Sequence, residues 1–298
     1  SHTVDESSEQ LLLDPNELAD GGFFSLGAFS ISPDHQRLAY STDTSGEEIY
    51  QLHVKQLSDN SVQTLAFEDC DGSMVWANDS QTLFFVELDE THRPHKLYRT
   101  SLGSDKAELV FHEPDGRFFM HCYRASSERK LILMLGSKTT SEAWILDAET
   151  PGQAFSCVAP RQEDHEYDVD HGLHNGEWQW FIRSNQSGIN FALYRAPEHA
   201  FTRDHWIELR AHDDQVMIDG MTLNANALLL SLREGGLPII EVTPTGLPSY
   251  RVSLPDAAYS LYVQDALEFE SDNMRLRYEA LNRPAQVRQL NLATGAQQ

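Results

Sequence analysis

SISPDHQRLAYSTDTSGEEIYQLHVKQL, residues 30–57, reads as strand, turn, strand, loop, strand. Pro33 presets φ at the second position of a turn and Asp34 favours the same bend, so Ser-Pro-Asp closes a hairpin. Apolar and polar residues alternate through RLAYS and YQLHV, as they do in half-buried strands. The stretch holds no nucleophile in a recognisable setting, no phosphate loop and no metal-ligand spacing.

The same unit recurs along the chain. Six segments place a short polar turn before an apolar strand: PDHQRLAYS, ANDSQTLFFV, SSERKLILML, HNGEWQWFIR, NANALLLSLR and ESDNMRLRYE. Their matching positions Leu38, Leu83, Leu131, Trp178, Leu228 and Leu276 lie 45, 48, 47, 50 and 48 residues apart. A following strand carries Leu52, Leu97, Ile145, Leu193, Ile239 and Val287, spaced 45, 48, 48, 46 and 48. Two independent markers keep step. Each unit also has a strand before the turn, such as FSLGAFSIS or YDVDHGLH, and most have a trailing one, such as SVQTL or AELVF. Four antiparallel strands repeated every forty to fifty residues define an all-β chain, a β-propeller of about six visible blades. Only DPNELADG near the start suggests a helical turn. EQLLL at residues 9–13 reads as an outer strand lacking its own blade, and the sixth unit ends where an outer strand begins. Residues 1–8 are expected to be a tag remnant or leader, and 9–298 a single propeller domain.

The charge is strongly negative, 46 Asp and Glu against 22 Lys and Arg, or −24. Such a field repels nucleic acid and anionic membranes and attracts cationic ligands. No apolar run is long enough for a transmembrane helix. Cys70, Cys122 and Cys157 are too few and too scattered for a disulfide framework or a zinc site, which fits a reducing cytoplasm. The segment DHEYDVDHGLH gathers His165, His171 and His174, but strand rise separates the first two by roughly 20 Å, so a structural strand is preferred to a metal site. No serine sits in a strained G-x-S-x-G turn; Ser45 and Ser187 fall in polar loops. Sialidase-type Asp-boxes do not occur.

Ordered blocks across nearly the whole chain resemble one family. They are LLLDPNELA (11–19), SPDHQRLAYSTDTSG (32–46), VWANDSQTLFFVELDETHRPHKLYRTSLGS (75–104), HEPDGRFF (112–119), GSKTTSEAWILDA (136–148), PRQEDHEYDVDH (160–171), IRSNQSGINFALYRAP (182–197) and LRYEALNRPAQVRQLNLATG (276–295). Together they resemble the propeller domain of the oligopeptidase B group, within the prolyl oligopeptidase family of serine peptidases. The resemblance implies a seven-bladed propeller covering an α/β-hydrolase module with a Ser-Asp-His triad, absent from this chain. It also implies cleavage of short peptides after Arg or Lys, without metal or organic cofactor.

Topology adds one expectation. In an up-and-down blade the loops between second and third strands share an edge with the chain ends, so a module joined there sits over that edge. On this reading Glu47, Glu48, Arg93, Glu142, Arg183 and Arg233 face an interdomain cleft, and no residue of the chain is itself catalytic. The expected partners are the protein's own hydrolase domain and short basic peptides. The competing readings are a free-standing propeller used as a protein-interaction platform and a propeller enzyme with chemistry in its own channel.

Overall fold

The computed structural model describes residues 9–19, 21–264 and 268–298. Residues 1–8 lie outside them, and so does the expectation of a leader. The described residues form six antiparallel sheets, five of four strands and one of three, each built from strands consecutive in sequence. This is the up-and-down blade of a β-propeller. The chain divides into two compact units, residues 1–123 with 149–152 and residues 124–148 with 153–298.

The first unit holds sheet one, β1 (Ser25–Ile31), β2 (Arg37–Asp43), β3 (Gln51–Gln56) and β4 (Val62–Thr64). Sheet two follows as β5 (Cys70–Trp76), β6 (Thr82–Leu88), β7 (Pro94–Ser101) and β8 (Glu108–His112). The Ser-Pro-Asp turn forms as expected. Asp34 accepts from Gln36 N (3.0 Å) and the Ser32 hydroxyl (2.6 Å), and His35 takes a positive φ of 57°. Trp76, Leu83 and Leu52, all fully buried, lie in one core with Phe85, Met74 and Val54. Gly27 and Gly72, on the first strands of the two sheets, make room for Tyr50. A Cβ on either would stand 2.8 Å from the tyrosine ring. The buried Ser41 hydroxyl completes this contact, donating to Gly72 O (2.8 Å) and accepting from Ala28 N (3.0 Å).

The third sheet comprises β9 (Phe119–Arg124), β10 (Lys130–Gly136), β11 (Ser141–Asp147) and β12 (Ser156–Cys157). The fourth is β13 (Tyr167–His174), β14 (Glu177–Ser184), β15 (Ala192–Pro197) and β16 (Ile207–Arg210). The fifth is β17 (Val216–Asn224), β18 (Ala227–Glu234), β19 (Leu237–Pro244) and β20 (Tyr250–Arg251). The sixth is β21 (Ser260–Val263), β22 (Asn273–Ala280) and β23 (Arg283–Asn291). The first set of sequence markers lies on the second strand of every sheet, and the other set on the third. Outer strands are short, as few as two residues in β12 and β20, which limits the exposed edge available for pairing.

A polar clasp recurs where the turn between first and second strands meets the next sheet. In the first unit Asp34 N donates to Ser80 Oγ (3.0 Å) and Arg37 to Ser80 O (3.1 Å). In the second, Ser126 N donates to Asp170 Oδ1 (2.8 Å), the Ser127 hydroxyl contacts His171 Nδ1 (2.8 Å), and Asn224 Nδ2 donates to Ser271 O (3.0 Å). These bonds span 43 to 47 residues, so the sequence period is also a hydrogen-bonding period.

Two terminal segments differ in their fate. Residues 9–13 form no strand. They are held by Lys55 Nζ donating to Leu12 O (2.7 Å), and Leu11 is exposed. The position beside β3 is already filled by β4, so this segment has no ladder to join there. At the other end residues 296–298 turn back through Gly295, and Gln298 exchanges backbone hydrogen bonds of 3.0 Å with Gln289. With the Leu290–Gln297 pairing they make an isolated antiparallel bridge on β23. Asp14 caps a one-turn α-helix, α1 (Pro15–Leu18), by accepting from Asn16 N (2.8 Å).

Candidate functional site

The six residues expected at the cleft edge all fall in or beside the connections between second and third strands. Their environments differ. In the first unit Glu47 and Glu48 are exposed on the loop after β2. That loop is wound around Asp43, whose Oδ1 accepts from Ser45 N (2.7 Å), Ser45 Oγ (2.9 Å) and Gly46 N (2.9 Å), and whose Oδ2 accepts from Glu48 N (3.0 Å). Burial opposes ionisation of Asp43, but these donors outweigh it and hold its carboxyl below the usual range. The loop thus presents two glutamates on a preformed backbone.

Arg93 is the opposite case. It is buried, its Nε donates to Asp89 Oδ2 (2.9 Å), and its terminal nitrogens donate to the carbonyls of Phe118 (2.9 Å), Glu113 and Asp115 (both 3.3 Å). The Thr91 hydroxyl, the Thr91 and Arg93 N–H groups and the Arg93 guanidinium hold the Asp89 carboxyl well below its usual range, against burial. Arg93 therefore staples segment 113–118 and has no donor aimed outward.

In the second unit each residue meets an opposite charge. Glu142 is buried and receives Arg161 through Nε (3.0 Å), a terminal nitrogen (2.7 Å) and the backbone N–H (3.1 Å). Arg183 pairs with Asp168 (2.6 Å), donates to Ile218 O (3.1 Å) and covers the Phe191 ring at 4.1 Å. Burial raises the Asp168 carboxyl, and Arg183 counteracts it. Arg233 pairs with Asp219 at 2.8 Å and is half exposed. Of the six, Glu47, Glu48 and Arg233 are the ones open to a ligand or partner.

The partners Asp43, Asp89, Arg161, Asp168 and Asp219 escaped the sequence reading. Asp168 sits directly across the ladder from Arg183, so counting from the Asn175-Gly176 turn finds it. Asp219 lies at a register shift between Ile218 and Gly220, and the same counting misses it.

The histidines of DHEYDVDHGLH do not converge. His165 is buried, its Nε2 contacting Ser184 Oγ (2.8 Å) and its Nδ1 facing the Arg203 guanidinium; burial, and then the Arg203 charge, lower its pKa to about 4. His171 is fully buried on Trp178 and Trp180, and burial lowers it to about 4 as well. His174 opens onto a cavity on the other side of the sheet's turn edge. Among the described residues no group of three or more His, Cys, Asp or Glu is placed to hold a metal ion. The thiols of Cys70, Cys122 and Cys157 are free, and burial pushes each up to about 12. No helix among the described residues is long and apolar enough to cross a membrane.

Repeated antiparallel sheets, each of strands consecutive in sequence, define a β-propeller domain. The match to known proteins makes this specific: residues 1–298 fit the family model described as prolyl oligopeptidase, N-terminal beta-propeller domain, and the chain belongs to that family. It is 30% identical over 296 residues to dipeptidyl aminopeptidase BI of Pseudoxanthomonas mexicana, covering 98% of this chain and 40% of that protein. It is 28% identical to Protease 2 of Moraxella lacunata, covering 99% and 42%. Oligopeptidase B from Leishmania major superposes with a TM-score of 0.90 at 26% identity, over 100% of this chain and 43% of that one. The chain thus spans about two fifths of the length of these relatives.

Proposed function

We propose that this chain is the substrate-gating propeller of a serine oligopeptidase that hydrolyses short peptides after Arg or Lys. The observation that carries the reading is the likeness to oligopeptidase B over the entire chain at a TM-score of 0.90. On this reading the catalytic triad belongs to an α/β-hydrolase module, and this chain contributes no reacting group. The propeller covers that module, with the connection bearing Glu47 and Glu48 in the first unit, and that bearing Arg233 in the second, each assigned to the covered side. Folded proteins are excluded by size, and the net charge of −24 favours cationic peptides.

The test uses the full-length enzyme with Glu47→Lys and Glu48→Lys combined. The expected result is a fall of about three- to tenfold in kcat/KM at low salt for peptides cleaved after Arg, with little change for a neutral counterpart. Unchanged kcat/KM for both would remove the two glutamates from the cleft.

The likeness to a dipeptidyl aminopeptidase favours a second reading, in which dipeptides are released from a free N-terminus. Paired peptides with free and acetylated N-termini distinguish the two. Loss of turnover on acetylation supports the aminopeptidase, and equal turnover supports the oligopeptidase.

A further inference from the structure

A cavity of about 500 Å³ opens between sheets four and five of the second unit, and the cleft-edge residues take no part in it. Its mouth lies at Asn175, in the turn between β13 and β14, and at Thr245–Leu247, in the turn after β19. Antiparallel strands put these turns at the opposite end of the blades from the loops that carry Arg183 and Arg233.

The walls are mixed: Phe181, Leu193, Leu209, Leu228 and Leu230 supply an apolar side, and polar groups supply nearly as much of the surface. Two donors are left over on this lining. Arg210 makes one bond, through Nη1 to Glu241 Oε1, and its Nε and Nη2 have no protein partner among the described residues. The second oxygen of Glu241 is already engaged by Arg251 Nε at 3.4 Å, and Arg251 also holds Glu234 at 2.6 Å. The ring nitrogens of His174 have no hydrogen-bond partner among the described residues, and the ring meets only the edge of Phe181. Burial and the nearby Arg195 lower its pKa, so it lines the cavity as a neutral ring with one N–H to give. The carboxylate on the lining, Glu241, is taken, and the Thr243 and Ser249 hydroxyls bond to each other at 2.9 Å.

A chamber with an apolar side and spare guanidinium and imidazole donors complements an anionic head on an apolar body. We propose that this cavity binds a small carboxylic acid with an aliphatic or aromatic body, of about ten to fifteen non-hydrogen atoms given its volume. The carboxylate meets the free edge of Arg210, and the body lies against the leucines between the two sheets. Such a ligand bridges adjacent blades at a place remote from the proposed cleft, and the inference does not depend on the peptidase reading.

The experiment is calorimetric titration of the 298-residue chain with 4-phenylbutyrate and with 4-phenylbutan-1-ol, the same body without the carboxylate. Saturable binding of the acid is expected, with the alcohol weaker by about tenfold. Arg210→Gln is expected to bring the acid down to the alcohol's affinity, and Leu228→Phe, which fills the chamber from its wall, to abolish both. Equal affinities in the unaltered chain, no saturable binding below about 10 mM, or an acid preference that survives Arg210→Gln would overturn the assignment. Methyl spectra of the unaltered chain provide a check that needs no variant. Shifts centred on Leu193, Leu209 and Leu230 support the site, and shifts confined to other residues refute it.

Discussion

Asp170 and His171 are neighbours with opposite proton preferences. Burial raises the Asp170 carboxyl to about 6, although Ser126 and the His171 N–H donate to it. Burial lowers the His171 ring to about 4. Between pH 4 and 6 the folded chain therefore holds a proton on Asp170 that the unfolded chain releases, and refuses one on His171 that the unfolded chain takes up. The Asp170 contribution is present at low pH and lost as pH rises through 6; the His171 contribution is present above 6.5 and lost as pH falls towards 4. The two nearly cancel in the natural pair, so substitution of one exposes the other. Asp170→Asn can keep the Ser126 and His171 N–H bonds, and relative to the unaltered chain it is expected to lose about 2–3 kcal/mol of stability on going from pH 6.5 to 4. His171→Gln is expected to move the opposite way. Urea unfolding midpoints across that range check both, and parallel pH profiles for all three proteins would show the pair is not coupled to folding in this manner.

At the scale of elements, the packing of Tyr50 between the first strands of sheets one and two depends on two glycines. Gly27→Ala and Gly72→Ala each bring a methyl group within 2.8 Å of the ring, and Gly72 also has a φ of +89°. Each is expected to cost about 1–3 kcal/mol, with Gly72→Ala the worse of the two, and Tyr50→Ala is expected to rescue only part of the Gly27→Ala loss, because the hydrogen-bonded Ser41 hydroxyl stands nearer still to a Gly27 Cβ. Denaturant midpoints of the single and double variants measure this, and additive losses would indicate that Tyr50 is not the obstacle.

Elements were also the level at which the sequence spoke most clearly. The apolar markers fell on second and third strands because most of them record the buried faces of these strands, with the exposed Val287 as the exception, and the Ser-Pro-Asp turn was visible in its residue types. The partners of the charged residues were less visible. Asp168 could be found by counting across a regular hairpin, but the first strands β1, β5 and β17 carry register shifts that break such counting. The burial of Arg93 was hidden for another reason: its acceptors are backbone carbonyls twenty or more residues away, which leave no mark in residue type. EQLLL was misleading because an apolar run alone does not say whether a ladder position is open to it.

For the whole molecule, the excess of acidic residues sets up a long-range field that salt screens, and the proposed function uses it to draw in basic peptides. If the field assists entry, kcat/KM for an Arg-containing peptide falls severalfold between about 10 mM and 300 mM salt, while a neutral peptide of equal length changes little. Equal salt profiles would leave size exclusion alone as the source of selectivity. Size exclusion is the central claim, and it is tested most directly by giving the full-length enzyme the same Arg-containing sequence in two forms: a free peptide of about ten residues and a surface loop of a stable folded protein. The account predicts cleavage of the peptide after Arg and an intact protein; cleavage of both at similar rates, or of neither, would contradict it.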